Sequence, residues 1–147
     1  AYAEQSRRRD IDMRILVADD EEAIRKSHRY ALETTAQIIK KECEVVEAAD
    51  SIEAWQKIKA EKFNLILIDN DFKDARLKGH LPGIAILQLA RKEGPNQETP
   101  IVFCSAETFE TLAPMVERFG AVAFPKAGYD MESAARLFAD QLTKPKP

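Results

Sequence analysis

The sequence predicts a single α/β domain built on a parallel β-sheet. Five short apolar runs alternate with five segments of helical spacing along the 147 residues. Three of those runs are nearly unbroken Val, Ile and Leu, as in strands buried on both faces. Strand-crossover-strand units of this kind are right-handed, and ligands bind beyond the carboxyl ends of the strands where the winding reverses.

The strands read as RILVA (14–18), CEVVEA (43–48), NLILI (64–68), PIVFC (100–104) and AVAF (121–124). The first helix is expected over 21–41, with Ile24, Ala31, Leu32, Ile38 and Ile39 among charges. The second covers 51–61 on Ile52, Trp55 and Ile58, capped by Asp50-Ser51 with Glu53 in its first turn. Ile84, Ile86, Leu87 and Leu89 define a third over 83–92. The fourth, 107–119, carries Leu112, Met115, Val116 and Phe119, and its internal Pro114 calls for a helix that is short, kinked or begun near the proline. Ala134, Ala135, Leu137, Phe138 and Leu142 mark the fifth over 131–142.

Length allows one domain and not two ordinary ones. Met13 opens the first strand, so 1–12 reads as an N-terminal extension and 143–147 as a tail, around a domain of 13–142. The material could be one domain of a longer protein. With 45% hydrophobic and 32% charged residues and a net charge of −3, bulk electrostatics give no reason to expect nucleic acid binding. No apolar run approaches a membrane span, and the start has no apolar core of a secretory signal. Cys43 and Cys104 lie inside apolar runs without metal-type spacing, which suits buried reduced thiols in a cytoplasmic protein.

The polar residues that end the strands form a compact set. The first strand ends in Asp19-Asp20, the third in Asp69, the fourth in Ser105 and the fifth in Lys126. Each alone has a plain reading, as a helix cap or a surface charge. Together they place three acids, a hydroxyl and an amine on one edge of one sheet. Ionised carboxylates held close call for a cation, and hard oxygens with open water positions suit Mg²⁺. A lysine and a hydroxyl suit the oxygens of a phosphoryl group.

These pieces (RILVADDEE, NLILID, PIVFCSA and GAVAFPK, in this order) resemble the response regulator receiver domains of two-component signalling, from about Met13 to Leu142. The resemblance implies a flavodoxin-like (βα)5 doubly wound sheet of strand order 2-1-3-4-5. It implies Asp69 as phosphoacceptor, taking a phosphoryl group from a histidine kinase or phosphotransfer protein. Mg²⁺ would be held by Asp19, Asp20, Asp69 and the backbone carbonyl of Asp71. Ser105 and Lys126 would bind phosphoryl oxygens, Ala106 would leave the group accessible, and Ser105 with Phe124 would form the switch. Output would pass to a protein target or a further domain, with a possible homodimer through the fourth helix, fifth strand and fifth helix. Such a domain is not an enzyme beyond its own phosphotransfer and dephosphorylation.

Four departures stand out. The stretch FKDARLKGHLP (72–82) lengthens the loop after the phosphoacceptor and carries Lys73, Arg76, Lys78 and His80; it reads as a tolerated surface insertion or as a basic flap beside the pocket. Asp71 adds a carboxylate that faces either pocket or solvent. Phe124 stands two positions before Lys126 rather than three, which leaves it as switch or plain core. Ala127 follows Lys126 in place of a proline, so that peptide should be trans, and Pro125 sits at the strand end. Two rival readings are a degenerate receiver that binds partners without phosphorylation and a haloacid-dehalogenase-like phosphohydrolase, whose Asp-x-Asp motif Asp69-Asn70-Asp71 satisfies.

Overall fold

The computed structural model describes residues 11–145, with the side chains of residues 75 and 76 outside the description. Most of the expected extension and the last two residues of the tail therefore lie outside the described residues, as does the Arg76 side chain. Five strands, β1 (Met13–Ala18), β2 (Cys43–Ala48), β3 (Leu65–Asp69), β4 (Ile101–Ser105) and β5 (Val122–Pro125), pair in parallel in the order β2-β1-β3-β4-β5. Helices α1 (Glu22–Ile39), α2 (Ser51–Ala60), α3 (Gly83–Lys92), α4 (Phe109–Glu117) and α5 (Met131–Thr143) link and close them. This is the expected flavodoxin-like sheet, and the winding reverses between β1 and β3.

The two faces of each central strand feed two separate cores, as the period-2 geometry of a strand requires. Ile15, Val17, Leu65, Leu67, Val102 and Cys104 pack under α1 and α5, against Ala31, Leu32, Ala134 and Phe138. Leu16, Ala18, Ile66, Ile68, Ile101 and Phe103 pack under α2, α3 and α4, against Ala54, Ile58, Ile86, Leu87, Leu112 and Val116. Every residue of β3 and β4 is buried, which is why their sequences carry no alternation. Cys104 is a buried free thiol as expected, but Cys43 is only partly buried, because β2 is an edge strand with one neighbour.

Local signals explain the element ends. Asp50 accepts the Glu53 amide at 2.8 Å and starts α2. Asp130 does the same for α5 through the Glu132 amide at 3.2 Å, and α5 runs on to Thr143, into the expected tail. Pro114 sits in the middle of α4, whose nine residues make it the shortest α-helix described, and the proline leaves the Glu110 carbonyl without its usual donor. The 72–82 insertion is not bare loop. Phe72 is buried in the core, Lys73–Arg76 form one 3-10 turn, and Asp74 is tied to His80 and to the buried Ser51 hydroxyl at the start of α2. No cis peptide occurs among the described residues, in line with Ala127 after Lys126.

After the insertion the chain re-enters α3 at Gly83, against the end of β3. A Cβ at Gly83 would collide with the Asp69 carbonyl oxygen and lie 2.7 Å from Asn70 Cα and 2.9 Å from the Asp69 carbonyl carbon. These are backbone atoms that cannot rotate away. Gly83→Ala should therefore cost about 1–3 kcal/mol, the range of overpacked sites. Urea unfolding would read this as a lower midpoint at unchanged slope; an unchanged midpoint would mean that α3 can back away from β3 freely.

Candidate phosphoacceptor site

The ends of β1 and β3 lie side by side at the winding reversal, and each delivers acids there. Asp19 and Asp69 are almost fully buried and Asp20 half-buried, and the three offer carboxylate oxygens within 4.8 Å of one another. Among the described residues, Lys126 supplies the cation that answers them. Lys126 Nζ, at the end of β5, donates to Asp69 Oδ1 at 2.6 Å and lies 3.0 Å from Asp19 Oδ2. The second contact is an ion pair without hydrogen-bond alignment. Asp69 Oδ1 also accepts the Asp71 amide at 2.9 Å, and Asp19 Oδ1 accepts the Glu21 amide at 2.9 Å. Asp20 Oδ2 accepts the Lys73 amide, from the 3-10 turn, at 2.8 Å.

What is left over defines the chemistry. Asp69 Oδ2, Asp20 Oδ1 and Asp19 Oδ2 are buried with no hydrogen-bond donor. Buried polar atoms are normally satisfied, and Asp19 Oδ2 has only its ion pair with Lys126, so these clustered carboxylates could hold a cation. Their chemistry, hard carboxylate oxygens gathered within 4.8 Å, fits Mg²⁺. Burial pushes the Asp69 carboxyl up from its ordinary 3.8 to about 6, opposed by the Lys126 hydrogen bond and reinforced by the Asp19 charge. Burial likewise raises Asp19, against the Glu21 amide and Lys126. Lys126 is held well above the ordinary lysine range by Asp69 and Asp19, which outweigh its own desolvation.

Ser105 ends β4 fully buried, its hydroxyl accepting the Glu107 amide at 3.2 Å. Asp71 turns toward the pocket. Its Oδ2 accepts the Ala106 amide at 2.8 Å and lies 3.3 Å from the Ser105 hydroxyl. Asp19, Asp20, Asp69 and Lys126 thus meet directly, and Ser105 and Ala106 stand beside them through Asp71.

Phe124 does not point into this cluster. It is partly buried on the α1–α5 side of the sheet, in an aromatic group with His28, Tyr129 and Phe138 at centroid distances of 5.2–6.3 Å. Sequence reasoning missed His28. It is fully buried, Nδ1 shares a 2.9 Å hydrogen bond with the Tyr129 hydroxyl, and Nε2 lies 3.8 Å from Cys104 Sγ. Burial, then the Lys126 charge, lowers its pKa to about 4, so it is neutral at neutral pH. The signal was present: His28, Ala31, Leu32 and Thr35 recur at helical spacing and are the buried stripe of α1.

The family model of the response regulator receiver domain matches residues 15–126. The chain belongs to this family. It is thus a receiver domain of two-component signalling, and the phosphohydrolase alternative falls away. A CheY-like receiver domain protein from Methanospirillum hungatei is similar at 25% identity and TM-score 0.67, over 88% of this chain and 93% of that one. Two others share the fold. The chemotaxis response regulator CheY4 of Vibrio cholerae is 22% identical, with TM-score 0.67 over 88% and 98% of the two chains. The non-phosphorylated HemR receiver domain of Leptospira biflexa is 18% identical, with TM-score 0.71 over 92% and 98%. No curated protein gives a significant match.

The raised pKa of Asp69 makes a stability prediction. A carboxyl whose folded pKa lies above its unfolded value favours folding only while protonated. That contribution is complete below about 4 and is lost as pH rises through about 6. Without metal, ionised Asp69 should therefore cost the receiver domain on the order of 3 kcal/mol at neutral pH. Asp69→Asn should melt several degrees above wild type at about pH 7.5 in chelator, with the gap closing near pH 5. A variant that melts at or below wild type at both pH values would refute this.

Proposed function

We propose that this receiver domain accepts a phosphoryl group on Asp69 from a phosphohistidine of a kinase or phosphotransfer protein. The observation that carries the reading is the split environment of the Asp69 carboxylate. Oδ1 is pinned by Lys126 and the Asp71 amide, while Oδ2 is buried and takes no hydrogen bond. Oδ2 would form the new bond to phosphorus as the phosphorus–nitrogen bond of the donor breaks, leaving an acyl phosphate on Asp69.

Such a transfer needs positioning and charge neutralisation more than acid–base work. Lys126 already bears on Asp69 and would pair with a phosphoryl oxygen. The Ser105 hydroxyl and the Ala106 amide are the donors for another. The carboxylates of Asp19, Asp20 and Asp69, with the Asp71 carbonyl, would hold Mg²⁺. When bound, the ion supplies the positive charge that lets these acids stay ionised beside a phosphoryl group.

The functional unit is taken as 13–142, with 1–12 and 143–147 as extension and tail. Phosphorylation would draw Ser105 and the start of α4 toward the site and shift a pre-existing equilibrium of the α4–β5–α5 face. That face would then engage a protein target, a further domain or a second copy. Phe124, held among His28, Tyr129 and Phe138, fits core packing better than a free rotamer switch. No helix among the described residues is long and apolar enough to cross a membrane, in keeping with a cytoplasmic setting.

The experiment is exposure to acetyl phosphate or beryllofluoride with Mg²⁺. Intact mass should show one phosphoryl adduct, absent in Asp69→Asn and strongly reduced in Lys126→Ala. A wild-type protein that takes no adduct would leave a degenerate, phosphorylation-independent binding module instead. Repeated turnover of a generic phosphatase substrate would contradict the phosphoacceptor reading.

A further inference from the structure

The loop after β3 carries a carboxylate that sits on donors belonging to the end of β4. Asp71 Oδ2 accepts the Ala106 amide at 2.8 Å, a short charge-assisted bond. The Ser105 hydroxyl lies 3.3 Å from that oxygen and 3.5 Å from its twin, a longer and weaker contact. On the phosphoacceptor reading just given, this amide and this hydroxyl are the donors that would hold a phosphoryl oxygen. We infer that Asp71 is a tethered competitor for the phosphoryl group: its carboxylate occupies the Ser105–Ala106 anion receptor and must swing out before Asp69 can carry phosphate there.

The geometry around Asp71 allows that exchange at the level of one side chain. Its amide stays bonded to Asp69 Oδ1 at 2.9 Å, the next residue, Phe72, is anchored in the core, and the Lys73 amide is bonded to Asp20. The main chain is thus fixed on both sides, and the exposed carboxylate needs only a rotamer change to reach solvent. A tethered anion competes at an effective concentration set by its short link. An incoming phosphoryl group also brings like charge toward it, so occupancy of one disfavours the other. Asp71 therefore acts as a specificity-determining residue. It sets how strongly an anion must bind to claim the receptor, and it turns the Ser105 hydroxyl toward the pocket before any phosphate arrives.

A purely structural role, stapling the β3 and β4 loops together, makes the opposite forecast for ligand affinity. Beryllofluoride titrations in Mg²⁺, followed by Trp55 fluorescence, separate the two in wild type, Asp71→Ala and Asp71→Asn. Removing the competitor should tighten beryllofluoride binding about tenfold in Asp71→Ala, with a smaller gain in Asp71→Asn, whose carboxamide oxygen can still accept from Ala106. In metal-free protein the Ala106 amide of Asp71→Ala should also lose protection from hydrogen exchange and shift in its amide resonance. Equal or weaker binding by Asp71→Ala, or an unmoved Ala106 amide, would overturn the inference. Binding by wild type that is lost in Asp69→Asn, with no gain in Asp71→Ala, would confine the failure to Asp71. No binding by any of the proteins would bring down the phosphoacceptor reading and the inference with it.

Discussion

Three acids and one lysine at the end of the sheet are the constraint around which the rest of the molecule is arranged. Asp19 and Asp69 are buried where carboxylates are seldom tolerated, and Lys126 compensates only part of their charge. The remainder is spread over main-chain amides: Glu21 on Asp19, Asp71 on Asp69 and Lys73 on Asp20. Even so, Asp69 Oδ2 and Asp20 Oδ1 have no donor, and Asp19 Oδ2 has only its ion pair with Lys126. A hydrophobic cluster of the same volume would be a more stable ending for this sheet. Charge held with so little compensation is what this end of the sheet would offer a cation.

That the charge can be held at all depends on the rigidity behind it. The strands bearing the acids are the central pair, buried on both faces and hydrogen-bonded on both sides, so the carboxylates cannot relax apart. Gly83 lets α3 start hard against the Asp69 carbonyl. On the opposite face the neutral His28 fills the space beneath the site with a polar ring that adds no second cation near Lys126, and its hydroxyl partner Tyr129 fixes the loop that follows Lys126.

The architecture was legible because two periodicities coincide with it. Continuous Val, Ile and Leu marked the buried strands, and i, i+3, i+4 spacing marked the helices between them. The acids, Ser105 and Lys126 were legible for a different reason: a parallel sheet gathers strand ends on one edge, so residues far apart in sequence become neighbours by topology alone. What stayed hidden were contacts made by loops, where no period operates. Nothing in FKDARLKGHLP announces that Phe72 is core, that the Lys73 amide meets Asp20, or that Asp74 and His80 close on Ser51. The direction of the Asp71 side chain was open for the same reason, since only the approach of the β4 end decides it. Phe124 was ambiguous because its partners, His28 and Tyr129, come from α1 and from the loop after β5.

Pro114 has a consequence for the distribution of stability. By removing a donor from the middle of α4, it leaves the first turn of that helix held by one hydrogen bond fewer than its length would provide. Leu112, Ala113 and Val116 still anchor α4 to the sheet, while Phe109 at its start is half exposed. The helix is thus secured by its apolar face, with one rung of its backbone ladder missing. Elements with exposed ends and fewer backbone hydrogen bonds open at lower free energy than the centre of a fold, and α4 has both features. Next to an acidic edge fixed by the central strands, α4 is thus a helix whose hold on the domain rests on three buried side chains more than on its own backbone ladder.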